Sequence, residues 1–515
     1  MTFNRNRKLI IPILAGLALT VAALARAGGF LDGLFEVWGP RYTYAGDPAS
    51  QLLWTPPPPP IAGDSTNSVR RWNQVAMDAN AIDHTPPAPG EMRMFGEQLG
   101  PTRTSRAFAI IHIAIFEAVN AIACRYQSYT GLPPAWPDTS TEAAVAQAAH
   151  DTLAAMFPSQ TPRFDDLLAE DLSVLPDDAA KQNGIDLGQR AAASILALRA
   201  GDGSDQPEPR IGIDFMTSNQ PGKWRQDPIS QNPLALGAHW GEVRPLVLSS
   251  ASQFRVSPPP ALTSSSYTVA YTEVKWVGGD GVTTLLTART PDQTMQGIYW
   301  GYDGTPGLGT PPRLFNQIAV LIAGQMGTGV VELARLLALL NVALADAAIA
   351  CWESKYYFQF WRPIAGIRES DSGSGPTGAG DGNLFTWGDP NFTPLGAQAS
   401  NLRGPNFTPP FPAYPSGHAT FGGALFQILR HVYGTDNIAF TFVSDEFNGM
   451  TRDNQGNVRP RLARSFSSLS QAEEENGQSR IYLGIHWAFD KTAGIAQGRS
   501  VADYVFSNAF VPVSY

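Results

Sequence analysis

The chain has 515 residues, of which 43% are hydrophobic and 16% are charged, and its formal net charge at pH 7 is −9. A chain of this length can bury a large core and form more than one lobe. The acidic balance argues against a nucleic-acid partner, because binding phosphates requires patches rich in Lys and Arg.

The first 27 residues have the pattern of an export signal. Three basic residues precede the apolar run Leu9–Leu24, and Ala23-Leu24-Ala25 or Ala25-Arg26-Ala27 would suit a signal peptidase. The run nearly reaches membrane-spanning length, so an uncleaved anchor is the alternative. We expect residues 1–27 to be a signal peptide, the protein to be secreted or periplasmic, and no later stretch to form an integral membrane domain. The chain has only Cys124 and Cys351, so disulfides cannot be what holds it together, and whether the two pair is open.

The next part of the chain predicts an N-terminal helical lobe. It follows the polyproline run Pro56–Pro60, which predicts an extended surface spacer. The stretch from Arg210 to about Ser265 is rich in Pro, Trp, Asn and Gly and predicts a long loop that wraps the helices. We therefore assign residues 28–265 to this lobe. Apolar residues recur at helical spacing in four segments, which are Ser68–Met77, Thr104–Ala123, Thr141–Met156 and Asp177–Ala200.

Helical patterns resume in residues 266–515, which we assign to a C-terminal lobe. The strongest is Val330–Phe360, where leucines recur at spacings of three and four. The glycine-rich stretch Asp371–Gly382 predicts a surface loop rather than a nucleotide site. Alternating strand patterns are scarce, so the predicted fold is mainly α, with two packed four-helix-type bundles and long Pro/Gly-rich loops. The other predicted helices are Tyr267–Trp276, Pro291–Trp300, Pro312–Met326, Ala419–Tyr433, Phe466–Leu483 and Trp487–Phe506.

Two cations and a turn in the C-terminal lobe favour an anion. Lys355 and Arg362 are seven residues apart, about two helical turns, so on one helix ended by Pro363 they would point the same way. Their neighbours are mostly aromatic, which favours a shared anion over two solvated charges. The turn Pro415-Ser416-Gly417-His418 places a hydroxyl, an amide and an imidazole at a predicted helix start, where free N–H groups and the helix dipole attract anions.

A third segment carries Arg480 and His486. They are six residues apart with Gly484 between them, which predicts a bend or a helix end. Alone, His418 or His486 could be an ordinary core histidine, but the three segments together predict one buried oxyanion site. The remaining histidines are interpreted as structural, and they are His84, His112, His150, His239 and His431.

The three segments also carry a family resemblance. Lys355-x6-Arg362-Pro363, Pro415–His418 and Ser479-Arg480-x5-His486-x3-Asp490 resemble the three-part signature of the type 2 phosphatidic acid phosphatase superfamily, which includes the vanadium-dependent haloperoxidases. The resemblance covers about Trp300–Tyr504, and the first lobe only in general character. Four flanking stretches of sequence resemble the chloroperoxidase-like branch, and they are Trp300–Gly304, Gly309–Gln317, Phe360–Pro363 and Pro409–Gly423.

The resemblance implies an enzyme that oxidises chloride or bromide, or both, with hydrogen peroxide to hypohalous acid at a vanadate cofactor. His486 would be the covalent metal ligand, Lys355 would polarise the peroxide, and His418 would be the acid–base partner. Small organic acceptors are further candidate partners. Vanadate would also be held by Lys355, Arg362, Ser416, Gly417, His418 and Arg480.

The same resemblance assigns three residues around the cofactor. Asp303 would pair with Arg480, while Trp352 and Phe411 would lie beside the halide pocket. Phe411 occupies the position where bromoperoxidases place a second histidine, which favours the chloroperoxidase type.

Two other functions stay open at this point. Phosphate and vanadate share shape and charge, so the same residues could form an exported acid phosphatase that works through a phosphohistidine at His486. A helical binding protein with a relic site is the non-enzymatic alternative. Turnover of a phosphate ester without vanadate, or of halide with vanadate, would separate the three.

Overall fold

The computed structural model describes residues 34, 36–44, 59–87, 90–284 and 287–513. The predicted signal peptide, residues 1–27, and most of the polyproline run Pro56–Pro60 lie outside these ranges. The signal peptide and the boundary between the two lobes therefore stay predictions.

The first part of the described chain forms a group of helices with polar caps. Asp64, Ser140 and Asp178 each precede a helix and accept a backbone N–H of its first turn, which satisfies one of the free donors at a helix start. Helix α4 was not predicted, because its apolar stripe is narrow and only Phe164, Leu167 and Asp171 are buried on it. The five helices are α1 (Ser65–Asp83), α2 (Gly100–Ala123), α3 (Thr141–Met156), α4 (Thr161–Ser173) and α5 (Ala179–Arg199).

The second part contains the longest helix, α9, which packs against α2 of the first group and against α11 and α13 of its own. One hydrophobic core extends through both groups. Helices form most of the regular structure, and the mainly α fold predicted from the sequence is confirmed. The helices here are α6 (Ser265–Val277), α7 (Pro291–Tyr299), α8 (Pro311–Gln325), α9 (Val330–Phe358), α10 (Pro363–Arg368), α11 (Gly417–Tyr433), α12 (Leu469–Tyr482) and α13 (Ala488–Asn508).

Between the two groups, residues 210–264 form turns, isolated bridges and one short 3-10 helix, Trp240–Glu242, as the loop prediction required. The loop is fastened to α9 through a buried carboxylate. Asp346 accepts the backbone N–H groups of Leu246, Val247 and Leu248 at 2.7, 2.8 and 2.9 Å. The three bonds offset part of the cost of burying the carboxylate, whose pKa burial still raises.

The prediction that Lys355 and Arg362 share one helix is wrong. Helix α9 ends at Phe358, because Gln359 adopts a left-handed conformation with φ +52° and its N–H bonds back to Lys355 O. Arg362 is the N-cap of α10, and Pro363 begins that helix rather than ending α9. Proline suits the first helical position, since no N–H is needed there and its φ is already helical.

A β-hairpin that the sequence prediction missed precedes α12. Strand β3 (Phe440–Asn448) pairs antiparallel with β4 (Arg461–Phe466), and a second, minimal pair joins β1 (Thr43–Tyr44) to β2 (Leu402–Arg403). The predicted helix Phe466–Leu483 therefore starts later, at Leu469, with Ser468 as its cap.

By length and composition two helices, α2 and α9, are long and apolar enough to cross a membrane, although no later stretch was expected to form an integral membrane domain. Their most apolar windows are 89% and 94% buried inside the protein. Burial in the core accounts for this hydropathy, which core helices and membrane spans share. Cys351 is a buried free thiol, so the two cysteines of the chain are not joined.

Candidate active site

His486 lies in the short link between α12 and α13 and is 2% exposed. The link turns at Gly484, whose φ is +71° and where a Cβ would collide with the backbone of Gly278. Only glycine fits such a position without strain. The predicted helix end between Arg480 and His486 is confirmed.

The hydrogen bonds of His486 define which ring nitrogen carries the proton. Nε2 lies 2.9 Å from Arg362 Nη1, and a guanidinium can only donate, so Nε2 is the acceptor. Nδ1 therefore carries the hydrogen and donates it to Asp490 Oδ2 at 2.7 Å. Burial, together with the charges of Arg362, Lys355 and Arg480, holds the pKa of His486 well below its usual value. The result is a neutral imidazole with a lone pair on Nε2, the form of a metal ligand or a nucleophile.

Asp490 is the last residue of the third signature segment, and the sequence assigned no role to it. Its Oδ2 also accepts the backbone N–H of Trp487 at 3.0 Å, and burial raises the pKa of the carboxyl to about 7. Asp490 and His486 are four residues apart across the start of α13, a spacing that could have indicated their contact.

Arg362 joins two segments of the site wall. Its Nε donates to Phe411 O at 3.0 Å, Nη2 to Pro409 O at 3.3 Å, and Nη1 to Ile485 O at 2.9 Å, besides His486. Burial lowers the pKa of Arg362 to about 9. The guanidinium therefore lies beside the lone pair of His486, although Arg362 is not on the same helix as Lys355.

Lys355, in the last turn of α9, is fully buried under the loop that leads to α11. Its Nζ donates to the carbonyls of Pro412, Ala413 and Pro415 at 2.9, 3.1 and 2.5 Å. Burial lowers the pKa of this lysine to about 7, whereas three carbonyl acceptors match the three hydrogens of an ammonium and favour the charged form. The same Nζ lies 5.1 Å from the centroid of the Phe411 ring.

The predicted helix start at Pro415–His418 is confirmed, with Ser416 as the N-cap of α11. The Ser416 hydroxyl is buried and has no hydrogen-bond partner among the described residues. His418 Nε2 lies 2.7 Å from Gly301 O, and since a carbonyl only accepts, Nε2 carries the hydrogen and Nδ1 the lone pair. Burial and the charge of Arg480 lower the pKa of His418 to about 4, so the ring is neutral.

Arg480, on α12, supplies donors that nothing in the described chain accepts. Its Nη2 donates to Asp303 Oδ1 at 2.6 Å, but Nε and Nη1 have no partner among the described residues, and the side chain is 1% exposed. Buried donors without acceptors are unfavourable. With the Ser416 hydroxyl they fit a group rich in acceptor oxygens, which is the chemistry of an oxyanion.

A cavity of about 70 Å³ joins most of these residues. Asp303, Gly417, His418, Arg480 and His486 line its polar end, whereas Lys355, Arg362 and Ser416 are not among its lining residues. Within the described ranges, no group of three or more His, Cys, Asp or Glu could hold a bare metal ion. The remaining wall is largely apolar, with Val37, Trp38, Leu99, Leu234, Leu236, Trp352, Phe407, Phe411 and Phe421.

Trp352 and Phe411, which the resemblance assigned to a halide pocket, both line this cavity. Their ring centroids are 4.8 Å apart, and Trp352 Nε1 donates to Leu236 O at 3.1 Å, which fixes the indole in the wall. All ten residues singled out from the sequence are thus brought together around His486.

Comparison with known proteins identifies relatives of this chain. Residues 335–513 match the family model of the VCPO second helical-bundle domain. The chain is 31% identical to vanadium chloroperoxidase of Curvularia inaequalis over 512 residues, which cover 83% of this chain and 80% of that protein.

Solved structures show the same fold. A bacterial vanadium-dependent iodoperoxidase superposes with a TM-score of 0.68 at 24% identity, covering 89% of this chain and all of that one (100%). A holo-type bacterial vanadium-dependent chloroperoxidase gives 0.58 at 17% identity, with 83% and 97% of the two chains covered. The sequence match to the fungal enzyme extends over most of both proteins, and the chain therefore belongs to the vanadium-dependent haloperoxidase family.

Proposed function

We propose that this enzyme oxidises halide with hydrogen peroxide at a vanadate held by His486 and releases hypohalous acid. Each turnover consumes one halide ion, one peroxide and one proton, and gives one hypohalous acid and one water. The observation that carries the proposal is the neutral His486, whose Nε2 lone pair faces Arg362 at 2.9 Å beside the unpartnered donors of Arg480 and Ser416.

The donor set suits vanadate without carboxylate ligands. His486 Nε2 would be its protein ligand, and its oxygens would accept hydrogen bonds from Arg362, Arg480, Ser416 and the first N–H of α11 at Gly417. Bound vanadate would supply a Lewis-acidic centre that activates peroxide, while the vanadium keeps its oxidation state. The Lys355 ammonium adds positive charge at this end of the cavity, which stabilises the oxygen that becomes more negative as the O–O bond breaks.

His418 is suited to move the proton that each turnover consumes. Gly301 O fixes its Nε2–H, so Nδ1 is the nitrogen that can accept and return a proton. A general acid–base needs a proton-accepting atom within hydrogen-bond reach of the reacting group, and His418 lines the same cavity as His486.

Chloride and bromide are the proposed halides, as in an enzyme of the chloroperoxidase type. The support is the apolar wall formed by Trp352 and Phe411. Lys355 Nζ and Arg362 Cζ each lie 5.1 Å from the centroid of the Phe411 ring. Such a wall removes water from the ion while the two cations replace part of its hydration. A halide series with chloride, bromide and iodide tests this, and turnover of iodide alone would refute it.

Organic acceptors react outside the cavity in this proposal. The cavity measures about 70 Å³, whereas an engineered cavity that binds benzene measures about 150 Å³. With vanadate in place the remaining space suits a halide and a peroxide, and the acceptor meets hypohalous acid after its release.

The experiment uses the full chain loaded with orthovanadate and a dimedone-type trap that reports halogenation with peroxide and halide. The parent should be active, and His486→Ala and Lys355→Ala should lose activity. His239→Ala is the matched control, because His239 lies outside the site with its side chain 43% exposed. A parent that binds vanadate fully and halogenates nothing would refute the proposal and leave the phosphatase and the non-enzymatic alternatives.

The acid phosphatase remains the second candidate for one reason. A neutral imidazole with its lone pair beside Arg362 could attack phosphorus as well as bind vanadium, and phosphate would use the same donors. Turnover of p-nitrophenyl phosphate without vanadate, abolished when vanadate is added, would support it. No turnover by a folded enzyme that binds phosphate would exclude it.

We also infer that the protein is exported. The support is the basic and apolar pattern of residues 1–27, which lie outside the described part of the chain. N-terminal sequencing of the mature protein from medium or periplasm should begin near Gly28, and a cytoplasmic protein that begins at Met1 would refute export.

A further inference from the structure

We infer that Glu446, on β3, is a positioning residue for the proton-transfer side of the site. It acts through the loop Gly301–Asp303, which follows α7 and contacts two site residues at once. Gly301 O lies 2.7 Å from His418 Nε2, and Asp303 Oδ1 lies 2.6 Å from Arg480 Nη2. Tyr302 lies between them, so its backbone conformation affects both contacts.

Tyr302 holds a conformation that needs support. Its φ of +54° is left-handed, which a bulky side chain adopts only when its surroundings impose it. The phenol is clamped, since its oxygen accepts the N–H of Asp445 at 2.6 Å and donates to Gln317 at 2.9 Å. The backbone N–H of Tyr302 donates to Glu446 Oε1 at 3.1 Å, and this bond holds the peptide that carries Gly301 O.

Glu446 is itself fixed from the opposite side. Its other oxygen, Oε2, accepts Arg459 Nη1 at 2.6 Å and Ser400 Oγ at 2.7 Å, and the residue is 1% exposed. Glycine is required at 301, because a Cβ there would collide with Glu446 Oε1. The carboxylate thus lies against the loop at the point where the loop offers its carbonyl to His418.

The sharpest variant is Glu446→Gln, which keeps the shape of the side chain. Two donors face the Oε2 side and one faces Oε1, so the amide oxygen would turn to Arg459 and Ser400. The amide NH2 would then face the N–H of Tyr302, donor against donor, and the loop would shift. Ser400→Ala is the matched control, because it removes a hydrogen bond from the same carboxylate but leaves the bond to Tyr302.

The primary readout is the tautomer of His418 in the full chain without vanadate. Two-bond proton–nitrogen spectra of ¹⁵N-histidine protein distinguish the two tautomers, and comparison with His418→Gln identifies the signal. We expect only the Nε2–H form in the parent and in Ser400→Ala, and a mixture in Glu446→Gln. Orthovanadate titration should show binding about tenfold weaker in Glu446→Gln, the factor that one lost hydrogen bond produces.

Gly301→Ala pushes the loop from Glu446 by a different route and decides the matter if Glu446→Gln does not fold. A folded variant with the parent's His418 spectrum and vanadate affinity would overturn the inference. The vanadate readout rests on the proposed function, but the tautomer readout does not. If the parent bound no vanadate, the proposed function would fail while the spectra still tested Glu446.

Discussion

Asp490 holds the ring of His486, and removing its carboxylate measures how much the site depends on that contact. The bond between His486 Nδ1 and Asp490 Oδ2 is 2.7 Å long, and the two side chains are 3% and 0% exposed. A buried hydrogen bond to a charged group contributes about 1.5–3 kcal/mol. Without this bond the imidazole of His486 is no longer held in the orientation that binds vanadate. We therefore expect Asp490→Ala to weaken vanadate binding about 10- to 100-fold.

Asp490→Asn is the matched control for this change. Oδ2 accepts two N–H groups, from His486 and Trp487, whereas Oδ1 has no partner among the described residues. The asparagine should therefore place its oxygen at the Oδ2 position and its NH2 on the empty side. The ring keeps its orientation and loses only the nearby charge, so binding should weaken less than about tenfold.

Isothermal titration with orthovanadate measures both variants, and thermal unfolding without vanadate verifies that each is folded. The expected order of affinity is parent, Asp490→Asn, Asp490→Ala. If folded Asp490→Ala binds vanadate within twofold of the parent, the imidazole keeps its orientation without the carboxylate and the reasoning is refuted.

Three further changes test other parts of the site and core. Arg480→Lys replaces a planar fork by a point charge, so vanadate binding should fall about tenfold or more by titration with little change in Tm, and unchanged binding would contradict the role of its unpartnered nitrogens. Lys355→Met leaves three buried carbonyls without a donor, and we expect a lower Tm together with lost halogenation; an unaltered Tm would mean that the loop does not need the ammonium. Burial lowers the pKa of His112 to about 3, and neither ring nitrogen has a partner within the described chain. Below about pH 6.5 the unfolded chain therefore binds a proton at His112 that the native state does not bind. As the pH drops from 7.5 to 4.5, this residue lowers the free energy of unfolding by about 2.7 kcal/mol. Urea unfolding at both pH values should show this loss reduced by about that amount in His112→Leu, and an identical loss in parent and variant would count against it.

The site was predictable where a local signal coincides with the chemistry. Gly484 marks the end of α12, and Ser416 and Gly417 mark the start of α11, so the relation of His486 and His418 to their helices follows from short-range rules. The residue types themselves, two arginines and a lysine among aromatics, indicate an anion wherever the chain brings them together.

Other features depend on contacts that the sequence does not display. Nothing in the sequence marks Gln359 as left-handed, because the residues that usually adopt this conformation are Gly and Asn, and Arg362 was therefore assigned to the wrong helix. Strand β3 does alternate, with Phe440 and Phe442 buried around Thr441, and that signal could have been read. Its partner β4 is largely exposed and has no apolar alternation, so the pairing that places Glu446 against residue 301 is visible only in three dimensions.

The charges of the site explain why it selects an oxyanion. Lys355, Arg362 and Arg480 are buried around His486, and the carboxylates that act on them are Asp303, Asp490 and Asp227. Of these three cations only Arg480 forms a salt bridge within the described residues, to Asp303, so Lys355 and Arg362 are buried without a directly paired carboxylate in a medium of low dielectric constant. An unpaired buried charge is strongly unfavourable, and a protein removes it either by losing the proton or by admitting an anion. The guanidinium of Arg362 retains its proton, so an anion is the remaining solution for that charge, and the unpartnered donors of Arg480 and Ser416 favour one with several oxygens.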